Sequence, residues 1–105
     1  ELKDLPITLP RPIDGSIFLR YNIQTAKASS LYSFFKEKGI LLGRWYSHVI
    51  DPHDVALSRV GYRAGSCKRA ELLARWSLNL PTYPRMTLND AREVIKLLKY
   101  YHGKG

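Results

Sequence analysis

His48, Asp51, His53 and Asp54 fall close together in the run HVIDPHD, and Cys67 lies further along the chain. All five are metal-ligand types. A structural zinc site, however, calls for four ligands held tetrahedrally, and a catalytic one for three with an open position. The run matches neither pattern and reads as a polar turn. A second chemistry for the same residues is a thiolate–imidazole pair, since a cysteine at a helix N-terminus ionises more readily and His48 or His53 could take its proton. Nothing in the chain fixes either histidine beside Cys67, and a lone cysteine is more often a small buried apolar residue. The chain has no Gly-x-Ser-x-Gly elbow, Walker phosphate loop or Gly-x-Gly-x-x-Gly fingerprint. Its residues therefore spell out no complete catalytic constellation and no metal site.

Trp45, Tyr46, Tyr62, Trp76, Tyr83, Tyr100 and Tyr101 are interleaved with Arg44, Arg63, Arg75 and Arg85, a mixture able to stack on bases. Seventeen Lys and Arg against nine Asp and Glu give a net charge of +8, which attracts nucleic acid, anionic membrane surfaces and acidic partners alike. The cations are spread over the whole chain, with Lys68, Arg69 and Arg75 the densest group. A solvated basic surface is therefore the simpler reading. Trp76 falls on the expected buried face of its helix and Tyr83 lies between prolines, so both read as structural.

At 105 residues, 45% hydrophobic and 25% charged, the chain has the composition of one globular domain and not of a disordered tail. Its single cysteine rules out an internal disulfide and makes the cytoplasm the default compartment. No apolar run approaches the roughly 20 residues that span a bilayer, so no membrane association is expected. The first residue is Glu1 and not Met, as in a processed product or an excised piece of a longer protein.

The elements that must position these residues follow from periodicity. Residues 1–14 carry Pro6, Pro10 and Pro12 and read as an extended linker whose Leu5, Ile7 and Leu9 can lie against a neighbouring surface. Residues 15–102 read as one domain and 103–105 as a tail. Over residues 16–24 apolar positions alternate, with Ile17, Leu19, Tyr21 and Ile23 on one face, which predicts a strand. Residues 26–38 place Leu31, Phe34 and Phe35 on one helical face, with Thr25 as N-cap and Gly39 in the left-handed C-terminal position. Residues 40–46 read as a second strand. Residues 47–66 form a long connection with a helical turn near 55–59, started by Asp51-Pro52. Residues 65–84 then read as loop, helix, short strand and proline-bounded exit. The helix opens near Ser66 or Cys67, runs through Leu72, Leu73 and Trp76, and ends before Asn79. The last helix starts at Thr87 with a capping box in which Asp90 replaces Glu, buries Leu88, Ala91, Val94, Ile95 and Leu98, and fades near Tyr101. The fold class is α+β, a small antiparallel sheet covered by helices.

Gly39-Ile40, the aromatic Trp45-Tyr46, Gly61-Tyr62, Gly65-Ser66-Cys67, Ala70-Glu71, Leu78-Asn79-Leu80-Pro81-Thr82-Tyr83-Pro84 and Met86-Thr87 before a Val-Ile helix follow one another in an order and spacing that resembles the C-terminal region of the DegT/DnrJ/EryC1/StrS aminotransferases. The resemblance covers roughly residues 15–101. It implies the C-terminal small domain of a fold type I enzyme that uses pyridoxal phosphate to aminate keto sugars. The cofactor lysine would lie in a large domain absent from this chain, so the chain itself would hold no cofactor and no catalytic residue. It further implies Trp45, Tyr46 and His48 as substrate-cleft residues. The partners would be the large domain, a keto sugar, an amino donor and, through an exposed apolar face, a second copy in a homodimer. Lys68 departs from the family's proline, and HVIDPHD departs from its aromatic, proline and histidine pattern. The alternative reading is a free-standing basic module that binds nucleic acid or a protein partner.

Overall fold

The computed structural model describes residues 2–50 and 55–103. Two short strands, β1 (Tyr21–Gln24) and β2 (Ser77–Leu80), pair antiparallel with Tyr21 opposite Leu80 and Gln24 opposite Ser77. Because side chains alternate across a strand, this register places Ile23 beside Leu78 on one face, and Asn22 beside Asn79 and Gln24 beside Ser77 on the other. Three helices complete the fold: α1 (Ala28–Glu37), α2 (Lys68–Trp76) and α3 (Leu88–Tyr101). Ile23 and Leu78 are fully buried against Leu31 and Phe35 of α1 and against Val94 and Leu98 of α3. This is the expected α+β class, a small antiparallel sheet with helices packed on it.

The strand expected over residues 16–24 keeps only its last four residues. Ile17 and Leu19, expected on the buried face with Tyr21 and Ile23, are 93% and 84% exposed. Register explains the loss. Extending β1 backwards would need a partner beyond Leu80, and there Pro81 has no N–H to give. One side-chain bond, Thr82 Oγ1 to the Leu19 carbonyl at 3.0 Å, replaces the ladder. The strand expected over residues 40–46 likewise shrinks to a single bridge, in which Gly43 and Asn79 exchange backbone hydrogen bonds of 2.8 and 3.0 Å.

On the other side of the sheet Thr8 and Gln24 exchange a similar pair of bonds, 2.8 and 3.0 Å. Leu5 is buried in the core, with Ile7 and Leu9 packed against it. The proline-rich N-terminal segment thus lays its apolar residues on the sheet and helices of this same chain.

Thr25 does not cap α1. Lys27 occupies the N-cap position and makes no side-chain capping bond. Thr25 is instead buried in the turn out of β1, where its hydroxyl accepts from the Lys27 amide and its own amide donates to the Trp76 carbonyl. At the other end Gly39 adopts φ +81° and the Ile40 amide bonds the Phe35 carbonyl, the expected left-handed termination. The helical turn expected near residues 55–59 is a 3-10 turn over Leu57–Val60, with Ala56 in the N-cap position and no side-chain capping bond. Asp51-Pro52, expected to start it, lies outside the described residues. Trp76, expected in the core, is only half-buried; Ala74 is the buried residue of α2.

Helix α3 begins as expected. The Asp90 amide donates to Thr87 Oγ1 at 3.1 Å and the Thr87 amide donates to Asp90 Oδ2 at 2.9 Å, a reciprocal capping box. Val94 and Leu98 are buried, whereas Leu88, expected beside them, is exposed. The C-terminal end is zipped to α1 by Phe34, which packs on Tyr101 and stacks on Tyr100 at centroid distances of 5.2 and 6.3 Å. The Ser30 and Tyr101 hydroxyls are hydrogen-bonded across the same seam.

The capping box makes a pH prediction. The Thr87 backbone amide, followed by the Thr87 hydroxyl, holds the Asp90 carboxyl below its usual range against a smaller opposing effect of desolvation. A carboxyl depressed in the folded state gives its full contribution above the unfolded-chain pKa and loses it as pH falls through the folded value. Thermal denaturation should therefore show Asp90→Ala, which takes the carboxylate from the Thr87 amide, destabilised at neutral pH. That deficit should shrink toward acid pH; a pH-independent deficit would contradict the role given to Asp90.

Candidate functional site

Asn79 sits in β2 on the face opposite Leu78 and is 5% exposed. A carboxamide removed from water must find partners or forfeit the cost of its desolvation. Its Oδ1 accepts the Trp45 amide at 2.8 Å, and its Nδ2 donates to Asn22 Oδ1 at 3.3 Å. The same residue bridges Gly43 through its backbone. A Cβ at Gly43 would stand 2.9 Å from Asn79 Oδ1 and 3.0 Å from Asn79 Cβ, so the close approach needs glycine. Taking the Trp45 amide on a side chain also turns residues 44–46 away from the backbone ladder, which is why the expected strand stops at one bridge.

Beyond this anchor Trp45 and Tyr46 stack on each other, 5.2 Å between centroids and 22° between planes. The Arg20 guanidinium carbon lies 3.6 Å from the centre of the Trp45 ring. Trp45 and Tyr46 remain 52% and 51% exposed. The three residues thus form a stacked cationic–aromatic platform, tied to the sheet through the Trp45 amide. Arg20 carried no functional expectation; its place just before β1, on the face away from Tyr21 and Ile23, was the available signal.

His48, the third expected cleft residue, is exposed and its Nδ1 lies 3.0 Å from Ser47 Oγ. With Ser47 and Arg75 it borders two clefts. One, of about 280 Å³, is walled by Val49, Ile50, Val55, Tyr62 and Glu71. The other, of about 890 Å³, is bordered by Lys27, Tyr32, Arg44 and Trp76. The wall of the smaller cleft is latched by Glu71 Oε2, which accepts both the Tyr62 hydroxyl and the Gly65 amide at 2.8 Å. Desolvation, reinforced by that bond to the carboxylate, raises the Tyr62 phenol above its usual pKa, so it stays a donor through the neutral range.

The other expected chemistry separates in space. Asp51, His53 and Asp54 lie outside the described residues. Among the described residues no three His, Cys, Asp or Glu gather as a metal would require. Cys67 is exposed at the N-cap of α2. The aromatic residues divide into the Trp45–Tyr46 pair, the Phe34–Tyr100–Tyr101 cluster, and Tyr83 held to Asp90 Oδ2 at 3.3 Å, and not into one strand-tracking groove. Among the described residues no helix is long and apolar enough to cross a membrane. Pyridoxal phosphate needs a lysine and a carboxylate disposed around one ring. Lys27 borders the larger cleft, whose described lining residues include no carboxylate, so the residues there do not fit that cofactor.

Residues 1–99 match the sequence profile of the DegT/DnrJ/EryC1/StrS aminotransferase family. A "Pleiotropic regulatory protein" from Geobacillus stearothermophilus is 32% identical over 101 residues, 93% of this chain. Two crystal structures are similar in fold. A DegT DnrJ EryC1 StrS aminotransferase from Brucella abortus superposes with a TM-score of 0.76 at 24% identity over 98% of this chain. S. venezuelae DesV, solved in complex with a ketimine intermediate, superposes with a TM-score of 0.77 at 26% identity over 96% of this chain. The chain spans 27% of the length of the Geobacillus protein and 28% of each structure.

Two substitutions test how the site is held. Asn79→Ala should cost roughly 1–3 kcal/mol, because it orphans the Trp45 amide and Asn22. Amide exchange at Trp45 should accelerate with it; unchanged protection there would show that Asn79 does not hold the platform. Glu71→Ala should free Tyr62 and Gly65 together, seen as faster proteolysis between residues 55 and 66 at little change in global stability.

Proposed function

The chain belongs to the DegT/DnrJ/EryC1/StrS aminotransferase family, and from that premise we propose that it is the C-terminal small domain of a pyridoxal-phosphate aminotransferase acting on keto sugars. It completes the substrate cleft and has no transamination activity alone. The observation that carries this reading is the Arg20–Trp45–Tyr46 platform, half exposed and pinned to the sheet by Asn79. A sugar presents C–H groups on one face of its ring and hydroxyls at its edge. Stacked aromatic rings take the face, and a guanidinium takes oxygens at the edge. Trp45 and Tyr46 serve here as the stacking surface, and His48, beside Ser47 at the cleft rim, as a polar contact. Held by a lysine of the large domain, pyridoxal phosphate would supply the electron sink for amino transfer. This chain's residues bind and orient the sugar and cover it from water. A second copy is a further partner, since Ile13, Ile17 and Leu19 present apolar surface to solvent.

Incubating the chain with pyridoxal phosphate, an amino donor and a keto sugar should give no transamination; robust turnover would overturn the reading. Supplied with a large domain that carries the cofactor lysine, the assembly should transaminate. There Trp45→Ala should lower kcat/KM for the sugar about tenfold while the half-reaction with the amino donor is retained. An unchanged sugar kcat/KM would remove Trp45 from the cleft.

A further inference from the structure

Which ring of the Arg20–Trp45–Tyr46 platform a ligand can lie on depends on which sides of the indole are already covered. The Arg20 guanidinium carbon lies 3.6 Å from the centre of the Trp45 ring, and the Tyr46 ring is stacked on that indole at 5.2 Å and 22°. Both cannot lie over the same side. Placed next to each other there, guanidinium and phenol would bring atoms closer than the roughly 3.5 Å at which carbons make contact. Arg20 and Tyr46 therefore cover opposite faces, and the indole is the middle layer of three. Of the two rings, Tyr46 is the one left with an outer face, and it is half-exposed. Arg20 reaches the indole from anchored backbone. The Leu19 carbonyl accepts Thr82 Oγ1 at 3.0 Å, Tyr21 opens β1 opposite Leu80, and Phe18 packs edge-on against Tyr21 at 5.1 Å. The Trp45 layer hangs from Asn79, so both attachments lie on β2 and its exit. Arg20 has no carboxylate partner among the described residues. The indole, and not a counter-charge, holds its guanidinium, which is planar and can lie flat on the ring.

We propose that Arg20 is a positioning residue: it holds the Trp45 indole between itself and Tyr46, and so presets the Tyr46 ring as the surface on which a sugar stacks. A ring fixed beforehand loses less freedom when a ligand arrives. Any oxygen the guanidinium rim takes is reached only while the indole holds it in place, so Arg20 and Trp45 act as one unit. The sugar in this assignment rests on the aminotransferase reading; the three-layer stack does not.

The stack is tested by NMR of the folded chain, since Arg20 is exposed and its replacement leaves the core intact. The Arg20 methylene resonances should be shifted upfield by the indole ring current, and Arg20→Ala should move the ring resonances of Tyr46 as well as those of Trp45. Tyr46 resonances unchanged in that variant would overturn the proposal, whatever the enzyme does. In the assembly with a large domain, Arg20→Ala should lower kcat/KM for the sugar about threefold, through KM, with the amino-donor half-reaction unchanged. Arg20→Lys keeps the charge without the plane and should not restore it; full rescue by lysine would make charge the working feature and overturn the positioning role. In a Trp45→Ala background Arg20→Ala should have no further effect, and an independent loss there would show that Arg20 does not act through Trp45. An assembly that turns over no sugar, with the ring shifts of the chain as expected, would count against the aminotransferase reading while upholding the stack.

Discussion

A buried carboxamide in a four-residue strand sets the geometry of this chain. Asn79 lies between Leu78 and Leu80, whose side chains face the core, so its own side chain emerges on the opposite face of the sheet, still out of water. It accepts the Trp45 amide, donates to Asn22 and exchanges backbone bonds with Gly43. An unpaired amide buried here would cost more than any one of these bonds contributes, so the segment around Trp45 is held where Asn79 needs it. Gly43 makes the approach sterically feasible. Where the polypeptide has little regular structure, one side chain thus decides where the exposed aromatic platform stands.

The rest of the fold divides by face. The apolar pair Ile23 and Leu78 meets α1 and α3 and forms the core with Leu5, Phe35 and Leu42. The polar row of Asn22, Gln24, Ser77 and Asn79 faces away, and Gln24 Nε2 donates to Ser77 Oγ at 2.9 Å. With only two strands, the sheet depends on the hydrogen bonds of this polar face as well as on its apolar one, with Gln24 Oε1 left buried and without a partner among the described residues. Two bridged segments, at Thr8 and Gly43, flank it and shield its edges. Pro81, which ends β2, also ends its pairing with β1, leaving Ile17 and Leu19 in solvent. Their exposure is therefore a consequence of strand register.

The residues that carry the family resemblance prove to be hydrogen-bonded units. Gly61-Tyr62, Gly65 and Glu71 are joined by two bonds to one carboxylate oxygen. Asn79, Thr82, Tyr83 and Thr87 fix the exit from the sheet and the start of α3. Tyr62 and Glu71 among them line the smaller cleft, while Lys27, Arg44, His48 and Arg75, which border the larger one, come from three separate stretches of chain.

Local rules were enough for much of the chain. Helix periodicity placed α1, α2 and α3 within a few residues, the Thr87–Asp90 box fixed the start of α3, and Gly39 fixed the end of α1, because capping and left-handed termination involve only neighbours in sequence. Trp45, Tyr46 and His48 were expected as cleft residues from the family resemblance and not from any local rule. Tertiary structure decided what local patterns could not reach. Alternation over residues 16–24 fits a long strand, but its length depends on a partner that ends at Pro81, and Thr25 fits a cap but is taken by the turn to Trp76. The stacking of Arg20 on Trp45 and the hub at Asn79 join residues tens of positions apart. Such contacts leave no periodicity in a sequence, since only the closing of the chain brings their charges and rings within range of each other.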